Sequence, residues 1–462
     1  MATDRMGLLQ VGFVSQLNLT GKSLAFLPIP LAHLFSVRWL GVKKTRPLLT
    51  IDESLQELTL LAKTAGLVVV GQTTQQVQQI DPATFVGPGK VSEIVDLVEA
   101  LSAHTVIFDD ELSPRHQREL ERRLGENVKV LDRSALILDI FAQHAHTREG
   151  ALQVELAQYE YLLPRLTRQW THLARQAGGG AARGGSGGVG LRGPGETQLE
   201  VDRREIGRRI SALRRELDAV RAHRSRHRER RTRAGVPVAA LVGYTNAGKS
   251  TLFRALTGAE VLVADQLFAT LDPTTRRVEL PSGHTLLLTD TVGFIQKLPH
   301  TLIAAFRATL EEVNEASLIL HVVDAAHPNV AQHIEAVEDT LAEIDTPPVP
   351  RVLVWNKADL LGDSPAPSYK GTDCYAAQVV VSALEHTGLD QLRMTIEDVL
   401  TASVQRVRLL IGYERGEAVS ALYEAGVVEE QEHTPHGVAL TARMPPVLRA
   451  RYREFEVNDN DV

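Results

Sequence analysis

Gly243-Tyr244-Thr245-Asn246-Ala247-Gly248-Lys249-Ser250 carries the spacing G-x-x-x-x-G-K-S. Glycines at these positions let backbone N–H groups close around phosphates. The apolar run Val238–Val242 before the motif reads as a strand, and Thr251–Thr257 after it as the start of a helix. A helix opening at this point turns its positive end toward bound anions. In such a loop Lys249 reaches the β- and γ-phosphates and Ser250 holds Mg²⁺.

Three further short motifs follow, each at the end of an apolar run. Asp290-Thr291-Val292-Gly293 ends the run Leu286–Leu288. It puts a carboxylate beside the Mg²⁺ position and the Gly293 N–H toward the γ-phosphate. Asn356-Lys357-Ala358-Asp359 follows Val352–Trp355. The Asp359 carboxylate can accept from the guanine N1–H and amino group; adenine offers no such pair of donors. Ser382-Ala383-Leu384 follows Val379–Val381, where a backbone N–H can meet the guanine carbonyl oxygen. Each motif is weak alone. Their order, on successive strand ends, points to a GTP/GDP site.

The second Mg²⁺ ligand, with Ser250, should be a threonine from Phe268-Ala269-Thr270-Leu271-Asp272-Pro273-Thr274-Thr275. Thr270 is the favoured choice over Thr274 and Thr275. Lys249, Thr270, Gly293 and Asn246 form the expected catalytic set. Many GTPases carry a water-orienting Gln just after Asp-x-x-Gly. Here that position is Phe294, which cannot orient water, so a partner, an ion or another segment must complete the site. Asn246 is a candidate K⁺ ligand, against the plainer reading of an Asn that stabilises the loop.

Composition sets bounds. The chain has 462 residues, enough for several domains, and 44% apolar content, enough for packed cores. Its one cysteine, Cys374, excludes a disulfide framework. A net charge of −7 excludes a uniformly basic nucleic-acid binder, so any RNA contact must be local. One stretch qualifies: Glu200 to Arg233 holds thirteen arginines against six acids, a local charge of +7. A solvated, salt-bridged helix face is the competing reading of that stretch. The apolar stretch Leu24–Val37 is interrupted by Pro28, Pro30 and His33 and is too short to span a bilayer, so no membrane insertion is expected.

The elements that must position these residues follow from periodicity. Residues 1–47 read as a disordered N-terminal extension. Residues 48–150 alternate helix-like and strand-like segments, the pattern of a parallel α/β domain. Residues 151–234 carry two heptad seams, Leu152, Leu156, Tyr159, Leu163, Leu166, Trp170 and Leu173, then Leu199, Ile206, Ile210, Leu213, Leu217 and Val220. They read as an antiparallel coiled-coil hairpin, kinked at Pro164, with the Gly-rich run 178–188 at its tip. A G domain with a doubly wound sheet spans 235–402, and a small α+β unit spans 403–462. Gly87-Pro88-Gly89-Lys90 reads as a turn into a helix, with a second nucleotide site as the alternative.

With the four motifs in place, the chain resembles the HflX-type GTPases of the Obg–HflX group. Segments outside the G domain carry the likeness: Phe85-Val86-Gly87-Pro88-Gly89-Lys90, Phe108-Asp109-Asp110-Glu111-Leu112-Ser113-Pro114, Leu138–Gln143, Thr147–Gly150, Leu152–Gln158 and, most specific, Arg192-Gly193-Pro194-Gly195-Glu196-Thr197-Gln198-Leu199-Glu200. The likeness runs from about residue 48 to the end of the G domain; the Gly-rich tip departs from the pattern in length. The resemblance implies binding to the large ribosomal subunit and its rRNA, and GTP-dependent splitting or rescue of stalled or idle ribosomes. It also implies hydrolysis stimulated by the subunit, and a cytoplasmic or membrane-peripheral chain acting as a monomer. The alternatives are a switch acting on a protein partner, or a GTPase of ribosome assembly or RNA modification.

Overall fold

The computed structural model describes residues 31–39, 50–77, 79–125, 127–165, 203–220, 222, 236–258, 267–268, 270–296, 312–344, 346, 348–362, 365, 369, 371, 374–424, 427–444, 448–449 and 452–457. The chain divides into two units, one running to Ala219 and the other comprising Val220–Gln296 and Arg307–Val462.

The first unit is built on a four-stranded sheet, β1 (Leu31–Trp39), β2 (Val68–Val77), β3 (Thr105–Phe108) and β4 (Lys129–Asp132), in the order β2-β1-β3-β4. All its pairings are parallel. Strand β1 corrects the sequence reading, which placed it in a disordered extension. It lies between β2 and β3, with Ala32 and Leu34 fully buried. The domain therefore begins no later than Leu31.

Helices α1 (Ile51–Thr64), α2 (Pro88–Ala100) and α3 (Pro114–Leu124) supply the crossovers, and α4 (Arg133–His144) follows β4. Their starts are written locally. Thr50 and Glu53 form a reciprocal cap on α1, and Ser113 caps α3 through the His116 N–H at 3.1 Å. Gly87 stands at the N-cap of α2, a turn into a helix. Helix α5 (Arg148–Leu162) stops two residues before Pro164. Its buried apolar residues are Leu152, Val154, Ala157 and Tyr161, so the heptad seam is only part of its buried face. The Tyr161 hydroxyl donates to Asp132 at 2.9 Å, and Arg165 lies 3.4 Å over the Tyr161 ring while donating to the Leu112 carbonyl at 2.8 Å. Residues 203–220 form α6, with Ile206, Ile210, Leu213 and Leu217 buried at the expected spacing. Arg209 and Arg214 pair with Glu155 and Glu160 of α5. Residues 166–202, with the expected tip, lie outside the described residues.

The second unit holds a six-stranded sheet of β5 (Val238–Val242), β6 (Thr274–Glu279), β7 (Thr285–Asp290), β8 (Leu318–Asp324), β9 (Arg351–Asn356) and β10 (Ala377–Val380). The order is β10-β9-β8-β5-β7-β6. Only β6 runs antiparallel, which makes the sheet mixed. The order reverses at β5, so the loop after β5 opens at the switch point where open α/β sheets bind ligands. Helices α7 (Lys249–Thr257) and α9 (Leu389–Ser403) pack Leu252, Phe253, Leu392 and Ile396 against one core. Helix α8 (Val330–Glu343) packs Ile334 into another, with Leu353 and Trp355. Strands β11 (Gln405–Ile411), β12 (Val428–Thr434) and β13 (Gly437–Met444) form an antiparallel sheet in the order β11-β13-β12, and α10 (Gly416–Glu424) buries Leu422 among their side chains.

A buried polar chain crosses the α8 face. His321 Nδ1 meets the Tyr375 hydroxyl at 2.8 Å, Tyr375 donates to Glu338 at 2.8 Å, and Arg351 pairs with Glu338. Burial pushes the His321 pKa below its usual 6.5. Burial raises that of Glu338, but the bonds from His321 and Tyr375 and the charges of His321 and Arg351 outweigh it and hold the carboxyl at about 2. Both groups bind fewer protons folded than unfolded, so their stabilisation grows with pH. The His321 share is complete above pH 6.5 and is lost as pH falls below it; the Glu338 share is complete above 4.5 and is lost toward 2. The melting temperature is expected to fall steadily from pH 7 to 4, and Glu338→Gln to flatten the limb below 4.5. A melting temperature constant over that range would contradict the assignment.

Candidate functional site

Strand β5 ends at Val242 and the chain turns through Gly243–Gly248 into α7. Gly248 has φ +89°, and a Cβ there would stand 2.2 Å from Asn356 Nδ2. Only glycine meets both conditions. The Asn356 side chain joins two motifs, donating to the Ala247 carbonyl at 2.9 Å and accepting the Ala383 N–H at 3.0 Å. Asp359 accepts the Ser382 hydroxyl at 2.5 Å. Lys357, at φ +63°, reaches Asp324 at 2.7 Å. Asp324 is a residue that sequence reasoning missed; its place at the end of β8 is its only sequence signal. Leu384 is 70% exposed, at the rim.

Lys249 is buried at the foot of the loop, its Nζ donating to the carbonyls of Gly243 at 3.0 Å and Tyr244 at 2.8 Å. Burial lowers its pKa to about 8, against the pull of Asp290. Ser250, Thr270 and Asp290 converge. Ser250 Oγ lies 2.7 Å from Asp290 Oδ2 and 2.8 Å from Thr270 Oγ1, and Thr270 lies 3.1 Å from the same carboxylate oxygen. Burial raises the Asp290 pKa against these bonds. The buried Asp290 Oδ1 has no hydrogen-bond partner among the described residues. These are hard oxygen donors, the type that Mg²⁺ takes.

Thr270 is held there by its neighbours. Leu267, Phe268 and Leu271 are buried anchors, so Phe268 and Leu271 support the segment through side chains turned into the core. Asp272 is half-buried, and Ala269 lies outside the described residues. Thr274 and Thr275 belong to β6, and Thr275 pairs with Thr289 at 3.0 Å.

The segment after β7 lies on the phosphate loop. Thr291 Oγ1 donates to the Leu241 carbonyl at 2.5 Å, and Val292 is buried. The Thr245 N–H donates to the Phe294 carbonyl at 2.7 Å, and the Phe294 N–H to the Gly243 carbonyl at 3.0 Å. A Cβ at Gly293 would stand 2.9 Å from Thr245 Cα and 3.0 Å from Lys249 Nζ, so the backbone comes this close only because residue 293 is glycine. Phe294 is buried. Asn246 sits exposed on the loop at φ +60°, a conformation that asparagine tolerates.

A phosphate loop at the switch point, a serine–threonine–aspartate oxygen cluster beneath it and an Asn-Lys-x-Asp strand end define a P-loop GTPase of multidomain α/β build. Three family matches tile the chain: the GTP-binding GTPase N-terminal region over residues 52–142, the GTP-binding GTPase middle region over 144–231, and the 50S ribosome-binding GTPase over 238–357. GTPase HflX of Alkalihalophilus pseudofirmus is 47% identical over 82% of this chain and 86% of its own length. That of Escherichia coli is 45% identical over 86% and 90%. A GTP-binding protein from Sulfolobus solfataricus, solved with GDP, is 24% identical with a TM-score of 0.42, covering 81% of this chain and 99% of its own. The chain belongs to the HflX family of GTPases.

Proposed function

We propose that the chain is a Mg²⁺-dependent GTPase that docks on rRNA of the large ribosomal subunit and couples its nucleotide state to splitting or rescue of stalled or idle ribosomes. Ser250, Thr270 and Asp290 would hold the ion, Asp290 directly or through water. When bound, Mg²⁺ neutralises charge between the β- and γ-phosphates. Lys249 holds the same phosphates, and the Gly293 N–H meets the γ-phosphate. Asp359 reads the guanine N1–H and amino group. Ala383 spends its N–H on Asn356, which leaves the Leu384 N–H for the guanine carbonyl oxygen. Thr245, Ala247, Ala358 and Ser382 shape the cradle. Phe294 supplies no water-orienting group, so hydrolysis stays slow until the subunit, or K⁺ at Asn246, completes the site.

The observation that carries the RNA reading is the outer face of α6. Its apolar residues turn inward, while Arg203, Arg208 and Arg215 are exposed. Family membership and the matched 50S ribosome-binding GTPase region support the same partner. Among the described residues no helix is long and apolar enough to cross a membrane.

The test is co-sedimentation with purified large subunits and a non-hydrolysable GTP analogue across a salt series. Binding should weaken steeply with salt. Arg208→Gln with Arg215→Gln should lower the logarithmic slope by about 1 for each phosphate that is no longer neutralised. Binding that is absent, or indifferent to salt, would favour a switch acting on a protein partner.

A further inference from the structure

We infer that Tyr244 is a positioning residue for hydrolysis, latching the chain at Gln296 onto the phosphate loop. This deepens the proposed mechanism and rests on the reading that Gly293 faces the γ-phosphate. Position 244 is one of the free positions of G-x-x-x-x-G-K-S, so phosphate binding does not call for a tyrosine there. Tyr244 is nevertheless 5% exposed and reaches both Gln296 and His333. Its hydroxyl accepts the Gln296 N–H at 3.0 Å. Its ring stacks on the His333 imidazole of α8, with centroids 3.9 Å apart and planes 4° from parallel. His333 in turn leans on His327 at 4.2 Å. The rings fix where the hydroxyl stands.

The latch extends the backbone bridge. Thr245 and Gly243 hold Phe294 from both sides, and the Tyr244 hydroxyl holds the chain two residues later. Gly293 immediately precedes this tied stretch and lies against Thr245 and Lys249. With Phe294 in the glutamine position, the main chain is what this segment offers the γ-phosphate. Main-chain placement then sets the rate, and a displacement of about 1 Å costs on the order of 100-fold. GDP lacks the γ-phosphate and does not sense the latch.

Tyr244→Phe keeps the ring stack and removes the acceptor. It should lower kcat for GTP by about fivefold to tenfold, the loss of one hydrogen bond, and weaken a non-hydrolysable GTP analogue by a similar factor. GDP affinity should change by less than about twofold. His333→Leu should act in the same direction, and the double variant should lose less than the product of the two single losses, because both act through one hydroxyl. Equal weakening of GDP and the GTP analogue, or an unchanged kcat, would overturn the latch. Gly293→Ala separates the two readings. If it lowers GTP-analogue affinity relative to GDP while Tyr244→Phe does not, the latch alone fails. If Gly293→Ala leaves that ratio unchanged, the γ-phosphate reading falls and the latch with it.

Discussion

Asp359→Asn is expected to lower kcat/KM for GTP by about 10³-fold and to make XTP the better substrate, a loss of about 4 kcal/mol in recognition. Asp359 sits in the turn after β9, with the preceding Lys357 tied to Asp324 and its own carboxylate tied to the Ser382 hydroxyl. A carboxylate fixed in this way could accept two hydrogen bonds from guanine. The Asn side chain keeps one acceptor and puts an amide donor against the guanine amino group, so one pairing becomes a clash of donors. Xanthine carries a carbonyl at that carbon and restores the pair. Steady-state rates with GTP and XTP decide it; an undiminished preference for GTP would remove Asp359 from base recognition.

Lys249→Ala is expected to lower kcat/KM for GTP by about 10²–10³-fold, or about 3–4 kcal/mol, the scale of removing one charge-stabilising donor. Burial already holds this amine down at about 8, with the Gly243 and Tyr244 carbonyls as its partners. A buried ammonium whose hydrogen bonds go to carbonyls adds little stability. Phosphate oxygens would add direct counter-charge to the pull of Asp290. The variant should therefore melt within a few degrees of the parent while losing hydrolysis. Lys249→Arg should not restore activity, because the planar guanidinium does not fit a pocket built for a point charge. Near-parental hydrolysis by Lys249→Ala would contradict the phosphate role.

Most of the geometry of the candidate nucleotide site could be read from residue types because it is main-chain geometry. Gly248 and Gly293 stand where a Cβ would collide, and Asn356 must bond two loops at once, so each position tolerates one residue type. The alternation of helix and strand before residue 150 was equally legible, since α1 and α3 carry their own caps. Strand β1 was not. Leu31–Trp39 follows two prolines and mixes His33 and Arg38 into an apolar run; pairing with β2 and β3, far along the chain, makes it a strand. The side-chain direction of Tyr244 was also invisible, because His333 lies in a helix with no motif of its own. Helix α5 misled for a third reason. It packs more than one face, and the heptad count saw only the seam.

The ribosomal role is tested by steady-state GTP hydrolysis by the full chain, with and without purified large ribosomal subunits, in K⁺ buffer and in Na⁺ buffer. A low rate is expected for the chain alone and strong stimulation by the subunit, because Phe294 supplies no group to orient the attacking water. Faster turnover in K⁺ than in Na⁺ would place Asn246 in the site as well. A low rate that subunits do not raise would contradict the ribosomal role.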